Sequence, residues 1–429
     1  MTENEIRKKA REVMYENMVT GYSKSTNTHF HYTKPSPGTY PFQFFWDTCL
    51  HVFILSALGE HDMAKKHLIS LFALQEENGF VGHMIYWNNI TPGRFTDIFQ
   101  SRPGLKWKLF KTHMSALIQP PLVAQAVAKV YHDTGDREFL ELMLPKLKKY
   151  YHWLAINRDF EGDGLLSIIS PFESGIDWKP TFDVVVGFPQ KKADWRLFWR
   201  VIWVDVRNFW HRYNTESLYN KDYFIVKDAG FNTIYAQNLR ALAELCEELD
   251  DPDADTFRSR ASQTIQSMIS IMYEDKTAAF YDVYGKANTK IRILTPTIFF
   301  PVVIKGMPDE ICKKVIDTHF FNKTEFDVPF PIPSVAKNHP SFNPTESLYI
   351  WRGPTWILFN WFMHQFLLEK NYKEEAHLLV ESIQKLIKKS GFREYYHPFT
   401  GEGYGANDFT WAGLVVNMMN MEVEYKRKE

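Results

Sequence analysis

The chain has 429 residues, with 50 Lys and Arg against 51 Asp and Glu and a formal net charge of −1. Phosphate-rich partners need a concentrated basic face; with charges balanced and no long like-charged block, no nucleic acid partner is expected, and the terminal "YKRKE" reads as a solvated helix end. No segment approaches the roughly 20 uninterrupted apolar residues of a membrane span, so no membrane partner is expected.

The N-terminal "MTENEIRKKAREVMYENM" is charged and amphipathic and lacks the apolar stretch of a secretory signal. Cys49, Cys246 and Cys312 have apolar neighbours and form no CxxC pair, which reads as buried thiols. A cytoplasmic, reducing location follows as the expectation, and the sequons at Asn89 and Asn322 then have no consequence. Aromatic residues make up 16% of the chain, with 13 Trp, 21 Tyr and 34 Phe. Rings with polar tips suit surfaces that hold rigid amphipathic ligands such as sugars, although a large helical core also absorbs them.

Taken in chain order, one pattern recurs: an apolar helix, a short polar turn, then a helix studded with Lys or Arg. "FFWDTCLHVFILSALGEHDMAKKHLISLFALQEENG" is the first case and "PPLVAQAVAKVYHDTGDREFLELMLPKLKKYYHWL" the second. "FNTIYAQNLRALAELCEELDDPDADTFRSRASQTIQSMI" and "GPTWILFNWFMHQFLLEKNYKEEAHLLVESIQKLIKKSG" follow. Apolar residues fall at i, i+3, i+4 and i+7, and the turns supply N-cap and helix-stop chemistry, which predicts antiparallel helix pairs. The more apolar first helix belongs inside and its partner outside. The hairpin spacing is too irregular for an open solenoid. The prediction is an all-α fold, an α/α toroid that keeps residues 1–429 in one domain. Long Gly-, Pro- and aromatic-rich insertions around 80–115 and 165–200 enclose a pocket on one rim.

No HExxH, Cys/His cluster or EF-hand spacing occurs, and His29 and His31 in "HFHY" are an isolated pair, so no metal is expected. "GEGYGA" imitates a dinucleotide fingerprint without its βαβ setting, and no GxSxG elbow is present; no cofactor is expected. Carboxylates among aromatics remain. Asp47 opens an inner helix in "TYPFQFFWDT", where it either complements the helix dipole or accepts from a sugar hydroxyl. Glu173 and Asp177 stand in "SPFESGIDWKP", and Glu394 and Glu402 in "FREYYHPFTGEGYGANDFTW". Half a chain separates Asp177 from Glu394, so a closed ring can place them across one cavity. Glycosidic cleavage needs such an acid and base. Asp177, between Ile176 and Trp178, is expected to be the carboxyl raised by desolvation, whereas Glu394, beside Arg393 and two tyrosines, is expected to stay ionised.

At these residues the chain resembles glycoside hydrolase family 63 over nearly its whole length, through "PFQFFWDT", "SPFESGID", "YIWRGPTW" and "FREYYHPFTGEGYG" in the family's order. Trehalases share weaker versions. The likeness is to the compact bacterial members that act on mannosylglycerate and glucosylglycerate. It implies an (α/α)6 toroid and an inverting mechanism, with Asp177 as general acid and Glu394 as general base. By the same motifs, Tyr40, Phe44, Trp46 and Asp47 match the sugar-holding wall, Gly175 and Trp356 further pocket positions, and Gln119 and Tyr86 the glycerate side. Phe44 and Trp356 read equally well as inner-ring packing. Trp178, Glu402 and Trp411 complete the expected substrate contacts.

The family pattern follows the acid with Asn or Asp and then Ser-Pro, whereas Trp178, Lys179 and Pro180 stand here, a change that bears on loop shape. Glu402 is the rival base. An anionic leaving group calls for a guanidinium fork. Arg352 either receives it or braces its own loop; Arg102, Arg196, Arg200 and Arg207 are further candidates, and spacing does not choose among them. The expected partner is a small glycoside. A trehalase-like or oligosaccharide α-glucosidase is the alternative, and a sugar epimerase or sugar-binding toroid, which would favour histidine bases, a more distant one. Mannosyl or glucosyl preference cannot be ranked from residues, and a homo-oligomer is compatible with the sequence.

Overall fold

A computed structural model describes residues 1–87, 95–101, 113–189 and 192–428. Helix α1 (Glu3–Glu16) is capped by Thr2, whose hydroxyl and the Glu5 carboxylate satisfy each other's backbone amides. A hairpin of Met18–Ser23 and Thr28–Thr33 follows. Next come the pairs α2 (Phe45–Ala57) and α3 (His61–Phe72), then α4 (Val123–Thr134) and α5 (Arg137–Arg158). The rim helices α6 (Thr181–Val185), α7 (Trp195–Trp210) and α8 (Thr215–Lys221) precede the pair α9 (Ala229–Glu248) and α10 (Ala254–Ser267). The short α11 (Asp309–Val315), the pair α12 (Ile357–Glu369) and α13 (Lys373–Ser390), and α14 (Leu414–Lys428) complete the helices.

Helices α2, α4, α9, α12 and α14 and the 3-10 turn Phe300–Val303 neighbour one another in a closed circle, with α14 returning to α2. Helices α1, α3, α5, α10, α11 and α13 form the outer circle, giving an (α/α)6 toroid. The inner position follows from composition. Every residue of α2 from Phe45 to Ser56 is buried, which only a helix apolar on all sides tolerates. By contrast the outer helix α13, partner of α12, buries one stripe, including Ala376, Leu379, Val380, Ile383, Leu386 and Ile387, and turns its lysines to water. Cutting Ile383 to alanine in that stripe would cost about 2–5 kcal/mol.

Two features depart from the sequence-based expectation. The fourth inner position holds no α-helix, because Pro296 and Pro301 open two successive 3-10 turns and proline cannot continue the α ladder. Within a fold expected to be all-α, the stretch that carries Glu394 and Glu402 is an antiparallel hairpin, Arg393–Tyr396 against Gly403–Asn407. Among the described residues no helix is long and apolar enough to cross a membrane.

Candidate active site

The N-terminal ends of three inner helices converge on one cavity. Asp47 lies in the first turn of α2, Trp356 is the N-cap of α12, and Trp411 sits in the 3-10 turn Thr410–Gly413 that leads into α14. Helix N-termini carry partial positive charge and favour carboxylates nearby. The cavity measures about 480 Å³, and Tyr40, Phe44, Trp46, Asp47, Gln119, Gly175, Asp177, Trp356, Glu394 and Trp411 all line it. The structure therefore gathers into one hollow ten residues singled out in the sequence, from segments at both ends of the chain and its middle.

Its walls are cross-braced. Trp351 and Trp356 stack with ring centroids 3.7 Å apart, and Trp46 meets Trp411 edge-on at 5.2 Å. The Trp411 indole donates to Asp47 Oδ1 at 3.0 Å, and the Trp46 amide donates to Gln119 Oε1 at 3.1 Å. Gly175 has φ +70°, and a Cβ there would lie 2.5 Å from the Trp46 ring. Only glycine lets the acid-bearing loop approach so closely. Ile350, Trp351 and Phe409 also line the cavity; they stand beside recognised motif residues, and that adjacency was the available signal for them.

A second chamber of about 810 Å³ adjoins the first, lined by His83, Met84, Gln100, Phe172, Trp178, Phe198 and Ile202. Tyr40, Phe44, Gln119, Asp177 and Ile350 line both. Asp177 thus stands at the junction, whereas Glu394 faces the first chamber alone. Of the residues that line the second chamber alone, only Trp178 was singled out by name; His83, Met84, Gln100, Phe172 and Phe198 fall within the insertions around 80–115 and 165–200, and Ile202 follows on α7.

Burial sets the protonation behaviour. Glu394 is 6% exposed and its pKa is raised by desolvation, opposed by hydrogen bonds from Tyr40 and from the Ala406 amide and by the charge of Arg393. The sequence-based expectation is that Glu394 stays ionised, with Arg393 beside it; Arg393 turns to the edge of the hairpin, donating to Gly405 O and Asn407, and burial outweighs its charge in setting the direction of the shift. The Tyr40 hydroxyl donates to Oε1 at 2.6 Å, and Ala406 N–H to Oε2 at 2.8 Å. Gly405, at φ +67°, is the residue whose missing Cβ leaves room for Oε2. Asp47 is pushed up to about 7 by burial, against the Trp411 donor and with help from the Glu394 charge.

Four other expected residues fall elsewhere. Arg352 does not reach either chamber; it is buried and forks onto Asp183 at 2.8 and 2.5 Å, so it braces the loop. Glu402 is exposed in the hairpin turn, accepts from the Tyr404 hydroxyl at 3.0 Å, and lines neither chamber. Tyr86 packs behind the wall with Phe42, Phe44 and Met84. Glu173 is structural: it takes Arg158 at 2.8 and 2.5 Å and the amides of Ile118 and Ile169. Arg196 pairs with Asp194, Arg200 donates to Val186 O and Arg207 to Trp203 O; Arg102 and Asn89 lie outside the described residues. Among the described residues, neither chamber is lined by Arg or Lys, and no group of three or more His, Cys, Asp or Glu could hold a metal.

A six-hairpin ring with an acid-lined, tryptophan-walled hollow is an architecture of glycoside hydrolases, and the comparisons make this protein one. More narrowly, residues 40–412 match the family model described as the mannosylglycerate hydrolase MGH1-like glycoside hydrolase domain, and the chain belongs to that family. It is 28% identical over 423 residues to mannosylglycerate hydrolase from Rubrobacter radiotolerans, covering 90% of this chain and 92% of the relative. It is 24% identical over 430 residues to glucosylglycerate hydrolase from Mycolicibacterium hassiacum, covering 90% and 93%. The crystal structure of the family 63 mannosylglycerate hydrolase from Thermus thermophilus in complex with Tris and D-glycerate superposes with a TM-score of 0.82 at 24% identity, covering 97% of this chain and 100% of that one; this likeness supports the fold.

Proposed function

We propose that the protein hydrolyses a 2-O-α-glycosyl glycerate, mannosyl or glucosyl, to free sugar and glycerate with inversion. The position of Asp177 carries the reading: one carboxyl lines both a tryptophan-walled chamber suited to a sugar ring and the adjoining chamber for the leaving group. The near-full-length relatives that act on these two compounds support the substrate class.

In this reading, water held by Glu394 attacks the anomeric carbon while Asp177 protonates the glycosidic oxygen. The water's proton passes to Glu394, the C–O bond breaks, and the two carboxyls return to their starting forms through solvent. Hydrogen bonds to the charged form favour it, so Tyr40 and the Ala406 amide keep Glu394 a competent base in spite of burial. Asp47, its Oδ1 fixed by Trp411, accepts from sugar hydroxyls. Phe44, Trp46 and Trp356 supply apolar ring faces.

A neutral leaving group is the second reading, favoured by the lack of Arg and Lys among the described residues of the outer chamber. A panel of mannosylglycerate, glucosylglycerate, trehalose and kojibiose separates the two. Turnover of the glycerates is expected, with the β-anomer released first by NMR. Turnover of trehalose or kojibiose alone overturns the substrate class, and release of the α-anomer overturns inversion.

A further inference from the structure

Asp177 sits in a tight turn closed by the Lys179 amide donating to Ile176 O at 3.1 Å. The Lys179 side chain is wholly buried. Its ammonium lies between Asp228 and Asp282, 2.7 Å from Asp282 Oδ2 and in contact with Asp228 Oδ2, with the Phe182 ring 4.9 Å away. Both acids are fastened to the start of inner helix α9: Asp228 Oδ1 caps it by accepting from Phe231 N at 2.8 Å, and Asp282 Oδ1 accepts from Ala229 N at 2.9 Å.

Burying one ammonium with two carboxylates is costly, and packed apolar side chains of similar volume often hold a core as well or better. Apolar packing, however, would not dictate where residue 179 stops along its turn. A charge held by two fixed oxygens does. The chain from α9 through the two carboxylates to Lys179 therefore locates a turn whose other occupant is Asp177. We infer that Lys179 is a positioning residue, which through Asp228 and Asp282 holds the Asp177 carboxyl on the leaving oxygen. This rests on the reading of Asp177 as the general acid.

The test compares two substrates in the full-length protein. One is the glycosyl glycerate it hydrolyses; the other is the matching α-glycosyl fluoride, whose leaving group departs without a proton donor. The variant is Lys179→Met with Asp282→Asn, which removes one charge of each sign and retains the Asp228 cap. Loss of a positioned general acid costs about 10²- to 10⁴-fold, so kcat on the glycoside is expected to fall at least 100-fold while the fluoride stays within about fivefold. Equal losses on both substrates would make Lys179 a general structural residue, and no loss on either would make it dispensable; each overturns the inference. Asp177→Ala is the control: it must show the same selectivity, and if it loses both substrates alike or neither, the acid assignment itself fails. If Asp177→Ala is selective and the double variant is not, only the role of Lys179 is refuted. Should the double variant not fold, Lys179→Arg, which keeps the charge but not the reach, carries the same comparison: selective loss supports the inference and equal loss overturns it.

Discussion

The Tyr40 hydroxyl holds Glu394 Oε1 at 2.6 Å, so a phenol from the N-terminal loop touches the carboxylate proposed to activate water. A hydrogen bond to a charged acceptor contributes about 1.5–3 kcal/mol, or about one to two pH units. Tyr40→Phe removes a group that lowers the Glu394 pKa, so that pKa rises further. The acidic limb of kcat/KM is expected to move to higher pH, with the rate at pH 5 suffering more than that at pH 8. An unmoved limb would disconnect Tyr40 from the base.

Glu394 and Glu402 differ in placement, one facing the first chamber and the other exposed in the hairpin turn. Glu394→Gln is expected to lower kcat by about 10³-fold or more, and Glu402→Gln to stay near the parent, in line with the range for a lost general base. Steady-state kinetics on the preferred glycoside decide it, and the reverse outcome would transfer the base to Glu402.

Arg352 and Asp183 form a buried forked pair, and removing one partner of such a pair typically costs about 3–5 kcal/mol. Arg352→Met should therefore lower the melting temperature clearly while leaving KM for the glycerate substrate within about twofold, since the side chain lines neither chamber. A large rise in KM at unchanged stability would return Arg352 to the substrate.

Asp47 has a folded pKa of about 7 against an ordinary value of 3.8. The folded protein binds this proton more tightly than the unfolded chain does. Its contribution is therefore intact below about pH 4 and is lost as pH rises through 7. The loss is on the order of 4 kcal/mol. Asp47→Asn is expected to melt higher than the parent at pH 8, with the difference vanishing near pH 4, and to lose activity. Calorimetry across that range checks the sign.

The helix pairs are legible in the sequence because inner helices such as α2 are apolar on every side while α13 carries a single stripe. The first chamber is legible because Asp47, Trp46, Trp356 and Trp411 sit at or just ahead of the starts of those helices, Glu394 in the hairpin ahead of α14, and Asp177 in a turn marked by Gly175 and Pro180. The fate of Arg352 was not, because a guanidinium fork looks the same whether its carboxylate comes from a ligand or from Asp183, 169 positions away. Nor was the raised pKa of Glu394: its neighbour Arg393 suggested the opposite, and desolvation exists only once the cavity wall is assembled.

Tyr40 to Glu394 spans 354 positions and Asp47 to Trp411 spans 364, while α14 meets α2 to shut the circle. Contacts this distant along a polymer form slowly, since local hairpins assemble well before the ends meet. When the denatured chain is returned to water, helical circular dichroism should reappear ahead of turnover. Catalysis then acts as the clock for the final joining of head to tail.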